Sequence, residues 1–147
     1  MGSAPSVHVD ELSCEAAWSR ITEDQSSVLV DVRTQAEWAF VGLPLLSAAN
    51  KEPVLLEWQS FPSGERNYAF ADQLTALLDK SEKLKSTQVL FLCRSGARSR
   101  NAAHEMAARG FEACSNITDG FEGPVDESGR RGRVSGWKFS GLPWAQG

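Results

Sequence analysis

The sequence predicts an α/β fold: a central, mostly parallel sheet with helices on both faces. Two apolar runs, SVLVDVR (27–33) and TQVLFLC (87–93), carry the prediction together with the helical segments that alternate with them. Both runs are short and continuous, without the polar–apolar alternation of a half-exposed strand, which is the look of strands covered on both faces. Alternating strands and helices along one chain is the pattern of crossover connections over a parallel sheet.

The remaining elements follow in order. SVHV (6–9) reads as a first strand, and Ser13 as the N-cap of a helix over 13–21. Thr34 and Glu37 have T-x-x-E spacing, a capping box that assigns Glu37 to a helix start rather than to proton transfer. LLSAAN (45–50) is expected to add a short strand. The segment 51–66 has two prolines and no period, so it reads as a long loop able to fold over a site. Phe70, Leu74, Leu77 and Leu78 recur at i, i+4, i+7 and i+8 in a helix starting near Asn67, and ARSRNAAHEMAAR (97–109) is a helix stopped by Gly110. EACSNI (112–117) is a weaker strand. The tail 124–147 is rich in Gly and Pro, and Trp137, Phe139, Leu142 and Trp144 are expected to anchor it. At 147 residues the chain is read as one domain, 1–147, with 1–5 flexible.

Composition narrows the function. The net charge is -4, from 15 basic and 19 acidic residues, without the basic excess of a nucleic-acid binder. Three cysteines, Cys14, Cys93 and Cys114, have no CxxC spacing, so neither a disulfide framework nor a zinc site is expected and the setting is read as reducing and cytoplasmic. The first residues lack the basic and apolar regions of a signal peptide, and no apolar run approaches the roughly 20 residues of a membrane span. MGSAPS fits a myristoylation pattern too loose to imply a lipid. No cofactor, metal, membrane or nucleic-acid partner is expected.

The chemistry concentrates in LFLCRSGARSR (90–100), where one cysteine ends a buried strand and Arg94, Arg98 and Arg100 follow. Ligands of open α/β sheets bind outside the carboxyl ends of strands. A loop closing on a helix N-terminus turns backbone N–H groups inward and makes an anion cradle. Gly96 permits the turn. A free thiol has a pKa of about 8.5, lowered by helix N-termini and nearby cations, and the thiolate is the nucleophile. No Asp or Glu occurs between Gln88 and His104 to offset the arginines, whose planar guanidinium groups suit oxyanions; Ser95 and Ser99 add hydroxyl donors. Cys14 and Cys114 lack neighbouring cations and read as core thiols, and neither His8 nor His104 is placed to act as a general base.

CRSGARS (93–99) resembles the active-site loop of single-domain rhodanese-like sulfurtransferases. LVDVRTQAEW (29–38) is similar to that family's strand and turn, and GFEACSNITDGFEG (110–123) to its last strand and the loop behind the cysteine. The resemblance implies a rhodanese-like fold and a two-step transfer: Cys93 takes a sulfane sulfur from thiosulfate or a related small anionic donor as a persulfide, then yields it to cyanide or a thiol. It implies donor binding by Arg94 and Arg98, a cradle of loop amides from Arg94 through Ser95, Gly96 and Ala97 to Arg98, and a supporting position for Asp31 and Arg33, read as an ion pair beneath the site. A sulfur-acceptor protein is a further partner it allows. FVGLPLLSAAN (40–50) lacks the histidine usual in the family's corresponding passage. SGRRGR (128–133) is expected to be a solvated turn, or else to line the mouth of the site for an acidic carrier.

Two other readings stand beside it. Related phosphatases and arsenate reductases use a Cys-x5-Arg loop sized for a tetrahedral oxyanion, whereas Cys93 to Arg98 is Cys-x4-Arg. A non-catalytic interaction module of the same fold typically lacks the cysteine, which is present here.

Overall fold

The structure, a computed structural model, describes residues 8–79 and 84–146. The expected flexible 1–5 and the start of SVHV lie outside the described residues; the end of that run, His8 and Val9, is not a strand but leads into one at Asp10–Leu12. Strands β1 (Asp10–Leu12), β2 (Val28–Asp31), β4 (Val54–Leu55), β5 (Gln88–Leu92) and β6 (Ala113–Ile117) form one parallel sheet in the order β1-β6-β5-β2-β4. Two short strands, β3 (Leu43–Pro44) and β7 (Trp144–Ala145), pair antiparallel beside it. The helices are α1 (Cys14–Glu23), α2 (Gln35–Phe40), α3 (Phe70–Leu78) and α4 (Ala97–Ala108).

The apolar run into Cys93 is explained by its place at the centre of the sheet. Along β5 and the residue after it, Val89, Phe91 and Cys93 face a layer built with Phe70 and Leu74 of α3 and Ala102, Ala103 and Met106 of α4. Leu90 and Leu92 face the opposite layer with Ala17 and Ile21 of α1 and with Trp137. Both faces of the strand are therefore core, and alternation is lost because each face needs apolar residues. Cys93 emerges at the carboxyl end of this strand, directed by the pleat toward the α3–α4 side.

Four local expectations change. LLSAAN is a 3-10 turn at Ser47–Ala49 rather than a strand; Leu46 and Ala49, three apart, are the buried pair, a spacing that suits a turn. The 51–66 segment contains the edge strand β4, just after Pro53 and too short to leave a pattern. In α3, which starts at Phe70 after Asn67 Oδ1 accepts the Ala69 N–H at 3.1 Å, Phe70, Ala71 and Leu74 are buried while Leu77 is 49% exposed. In the tail, Trp137 is buried, donates through Nε1 to the Pro143 carbonyl at 2.7 Å and meets Trp18 edge-on at 5.8 Å. Leu142 packs with it, but Phe139 is 55% exposed and anchors nothing in the core. Among the described residues no helix is long and apolar enough to cross a membrane.

Candidate active site

The loop after β5 is held from inside and from behind. Cys93 Sγ accepts the Gly96 N–H at 3.1 Å and lies 3.2 Å from Ser99 Oγ. Gly96 is the N-cap of α4 with φ 110°, and a Cβ there would sit 2.0 Å from the Thr118 carbonyl oxygen, so only glycine fits. Behind the loop, Phe121 N–H donates to the Cys93 carbonyl at 2.8 Å, and the N–H groups of Glu122 and Gly123 donate to the Arg94 carbonyl at 3.0 and 3.1 Å. Gly120 passes so close that a Cβ would meet the Arg94 carbonyl oxygen at 2.5 Å. The segment after β6 is thus a mould for the backbone of residues 93 and 94.

A polar chain extends from the sulfur through the buried Ser99 and Asn116 to the exposed Glu11. Ser99 Oγ is 2.5 Å from Asn116 Oδ1, and Asn116 Nδ2 donates to Glu11 Oε1 at 2.9 Å and to the Gly96 carbonyl at 3.2 Å. Ser99 has one hydroxyl proton, so at any moment it serves one of three acceptors: Asn116 Oδ1, the sulfur, or the Gly96 carbonyl at 3.2 Å. Neither Asn116 nor Glu11 stood out in the sequence. The one visible signal was a pair of polar residues, Ser115 and Asn116, inside an otherwise apolar strand, and both are buried.

The arginines are less free than their sequence neighbourhood implied. No acid lies near them in the chain, but the fold brings two. Arg98 donates to both oxygens of Glu37, at 2.7 and 3.0 Å, and Arg100 donates to both oxygens of Glu11, each at 3.0 Å. Among the described residues Arg94 has no ion-pair partner. Glu37 also closes the capping box with Thr34 at the start of α2. Burial pushes the Glu37 carboxyl up, but the hydrogen bonds and charge of Arg98 outweigh it and hold the group below its ordinary value of 4.5. Burial likewise opposes the charge on Arg98, and Glu37 reverses this to leave its pKa raised.

The sign of that shift sets an acid response. A depressed carboxyl contributes stability that is complete above its ordinary value and lost as pH falls through the folded one. The thermal midpoint of the protein is therefore expected to drop more between about pH 5 and pH 3 than that of a Glu37→Gln variant. Parallel curves for the two proteins would show that the pair adds nothing to folding.

The 51–66 loop does cover this region. A cleft of about 290 Å³ is lined by Thr34, Glu37, Arg94 and Arg98 on one side and by residues 59–62 and Gly64 on the other. The loop is braced by Arg66, whose guanidinium stacks 3.7 Å over the buried Trp58 ring and pairs with Glu105 of α4 at 2.7 Å. Phe61, 69% exposed, stands at the cleft. Cys93 is 1% exposed and does not line the cleft; the sulfur lies behind the loop rather than open to it. The 128–133 run is not in the cleft lining either. Asp126 Oδ1 gathers it by accepting from Ser128 and from the Arg130 N–H, and Arg131 donates to the Gly123 carbonyl.

Asp31 and Arg33 form a fully buried ion pair at 2.7 Å, and Arg33 also donates to the Gly42 carbonyl at 2.9 Å and lies over the Phe121 ring at 4.2 Å. They support the loop's backing and are not in the cleft lining. Ser95 is exposed on the loop and Ala97 is exposed at the first position of α4. His8 pairs with Asp10, and His104 is exposed on α4. Burial pushes the Cys14 and Cys114 thiols up to about 12, in keeping with core thiols.

A parallel sheet whose central strand delivers a cysteine into a glycine-turned loop at a helix start is the rhodanese-like architecture, that of the sulfurtransferase superfamily. Residues 9–147 match the family model described as the STR4 middle domain, and the chain belongs to this rhodanese-like family. It is 38% identical over 136 residues to the uncharacterized protein RP600 of Rickettsia prowazekii, covering 92% of this chain and 97% of that one. To Thiosulfate sulfurtransferase 18 of Arabidopsis thaliana it is 32% identical over 100 residues, 67% of each protein. It is 27% identical over 134 residues to the Arabidopsis Rhodanese-like domain-containing protein 4, covering 91% of this chain and 25% of that protein. The crystal structure of Rv0390 from M. tuberculosis superimposes with a TM-score of 0.82 at 42% identity, covering 97% of this chain and all of that one.

Proposed function

We propose that this chain is a sulfurtransferase that carries a sulfane sulfur as a persulfide on Cys93, taking it from thiosulfate or a related anionic donor and passing it to a thiol or cyanide. The observation that carries the reading is the seat of the sulfur. Cys93 Sγ accepts a loop N–H at a helix start, with Arg94 and Arg98 on the cleft side of the same loop. The Cys93 thiolate attacks the outer sulfur of the donor. A new S–S bond forms, the donor's S–S bond breaks, and sulfite leaves with its electron pair. An acceptor then takes the outer sulfur in a second displacement that restores the thiolate. Because the residue is 1% exposed, a local opening around it precedes attack on the donor sulfur. The Arabidopsis relative named as a thiosulfate sulfurtransferase supports this reaction class.

The test is peptide mapping by mass spectrometry after incubation with thiosulfate. One added sulfur atom is expected on the peptide holding Cys93 and none on those holding Cys14 or Cys114. Failure of every sulfane donor to load Cys93, alongside retention of a stable protein partner in pull-down, would instead mark a non-catalytic interaction module. Rapid hydrolysis of an aryl phosphate would point to phosphatase chemistry.

A further inference from the structure

We infer that the donor taken by this site is a singly charged organic sulfur compound rather than a compact dianion, and that Glu37 is the residue that sets this selectivity. The inference rests on the sulfur-transfer reading and narrows its substrate class. Two arginines border the cleft, yet they are not equivalent. Both oxygens of the Glu37 carboxylate are taken by Arg98, and Oε1 also meets the Thr34 hydroxyl at 3.2 Å. Arg98 and Glu37 are each only 19% exposed in their side chains, so the pair is held away from bulk water and its charges cancel locally. One net cation, Arg94, is left facing the cleft among the described residues.

Size points the same way as charge. The cleft holds about 290 Å³, more room than the five heavy atoms of thiosulfate fill. Its far wall holds no cation and mixes the Phe61 ring and Pro62 with the polar groups of Gln59 and Ser60. Such a wall leaves a second sulfonate charge unmatched and gives an alkyl or aryl body apolar surface to cover. Persulfides and thiosulfonates with one anionic group fit that description.

The charge and the size of the donor can be varied separately. Thiosulfate is a dianion; methanethiosulfonate replaces one of its oxyanions with a methyl group, and benzenethiosulfonate enlarges that group to a ring. All three transfer sulfur by the same displacement, the last two releasing a sulfinate with the bonding electron pair. Glu37→Gln keeps a side chain able to close the capping box and to hydrogen-bond Arg98, but removes the cancelling charge. Comparing each donor with itself across the two proteins removes differences in intrinsic reactivity. Glu37→Gln is expected to raise kcat/KM for thiosulfate about fivefold relative to either thiosulfonate, the scale of one partly exposed ion pair. In the unaltered protein, where no variant needs to fold, benzenesulfonate is expected to inhibit at lower concentration than sulfate.

An unmoved ratio in Glu37→Gln, or tighter inhibition by sulfate than by benzenesulfonate, overturns the inference while leaving sulfur transfer in place. Failure of all three donors to load Cys93 overturns the transfer reading itself, and this inference with it.

Discussion

Replacement of Cys93 by serine is expected to abolish sulfur loading while changing stability by no more than about 1 kcal/mol. Serine differs from cysteine by one atom, and the site already offers that atom's partners. The Gly96 N–H at 3.1 Å and the Ser99 hydroxyl at 3.2 Å can both hydrogen-bond an oxygen. The loop backbone is fixed independently of the side chain, through the Cys93 and Arg94 carbonyls and the segment Phe121–Gly123. Transfer activity, by contrast, needs a group that is nucleophilic at neutral pH and forms a bond to sulfur that a thiol can later cleave. A hydroxyl with no adjacent base does neither; His104 is exposed on α4, and the exposed His8 is paired with Asp10. A fall of at least about a thousandfold in transfer rate is therefore expected, with the urea midpoint nearly unmoved. The decisive measurement pairs the two: transfer that survives in a folded Cys93→Ser protein would relocate the chemistry to another residue.

The cysteine, its glycine and the helix behind them were legible because each obeys a local rule. A doubly buried strand must be apolar throughout, a turn with φ 110° against a carbonyl requires Gly96, and a helix following within a few residues supplies inward N–H groups. The charge balance was not legible, because it is tertiary. Glu37 was correctly placed at a helix start from its spacing to Thr34, but nothing in that spacing tells that its carboxylate reaches Arg98, 61 positions along the chain. Glu11 reaches Arg100 from the edge strand in the same way, 89 positions away. Sequence showed an uncompensated cluster of arginines, and folding compensated two of them. The weak look of EACSNI has a related cause: Ser115 and Asn116 lower its apolar character, yet the strand lies between β1 and β5, because Asn116 spends its polar atoms on Ser99, Gly96 and Glu11.

Arg33→Met is expected to destabilise the fold by about 3–5 kcal/mol, the cost of leaving one member of a buried ion pair without the other. Asp31 and Arg33 have no exposed side-chain surface, and three hydrogen bonds join their side chains, from Nε to both carboxylate oxygens and from Nη2 to Oδ2. Removing the guanidinium strands a carboxylate in the core and also frees the Gly42 carbonyl, which Arg33 Nη2 holds at 2.9 Å. The pair is itself imperfect, since Arg33 Nη1 is buried with no hydrogen-bond partner. An apolar replacement of both residues, Asp31→Leu with Arg33→Met, is accordingly expected to recover part of the loss, because the desolvation of two charges disappears along with their attraction, while the Gly42 carbonyl and the Arg33 backbone N–H, which Asp31 Oδ1 accepts at 3.1 Å, stay unpaired. Urea unfolding of the two single variants and the double gives the coupling energy directly. A purely structural pair leaves the rate of Cys93 loading in the folded double variant within a few-fold of the original. If loading instead collapses while the double variant remains folded, Arg33 acts on the loop through the Phe121 ring it covers at 4.2 Å, since Phe121 is the residue whose N–H holds the Cys93 carbonyl.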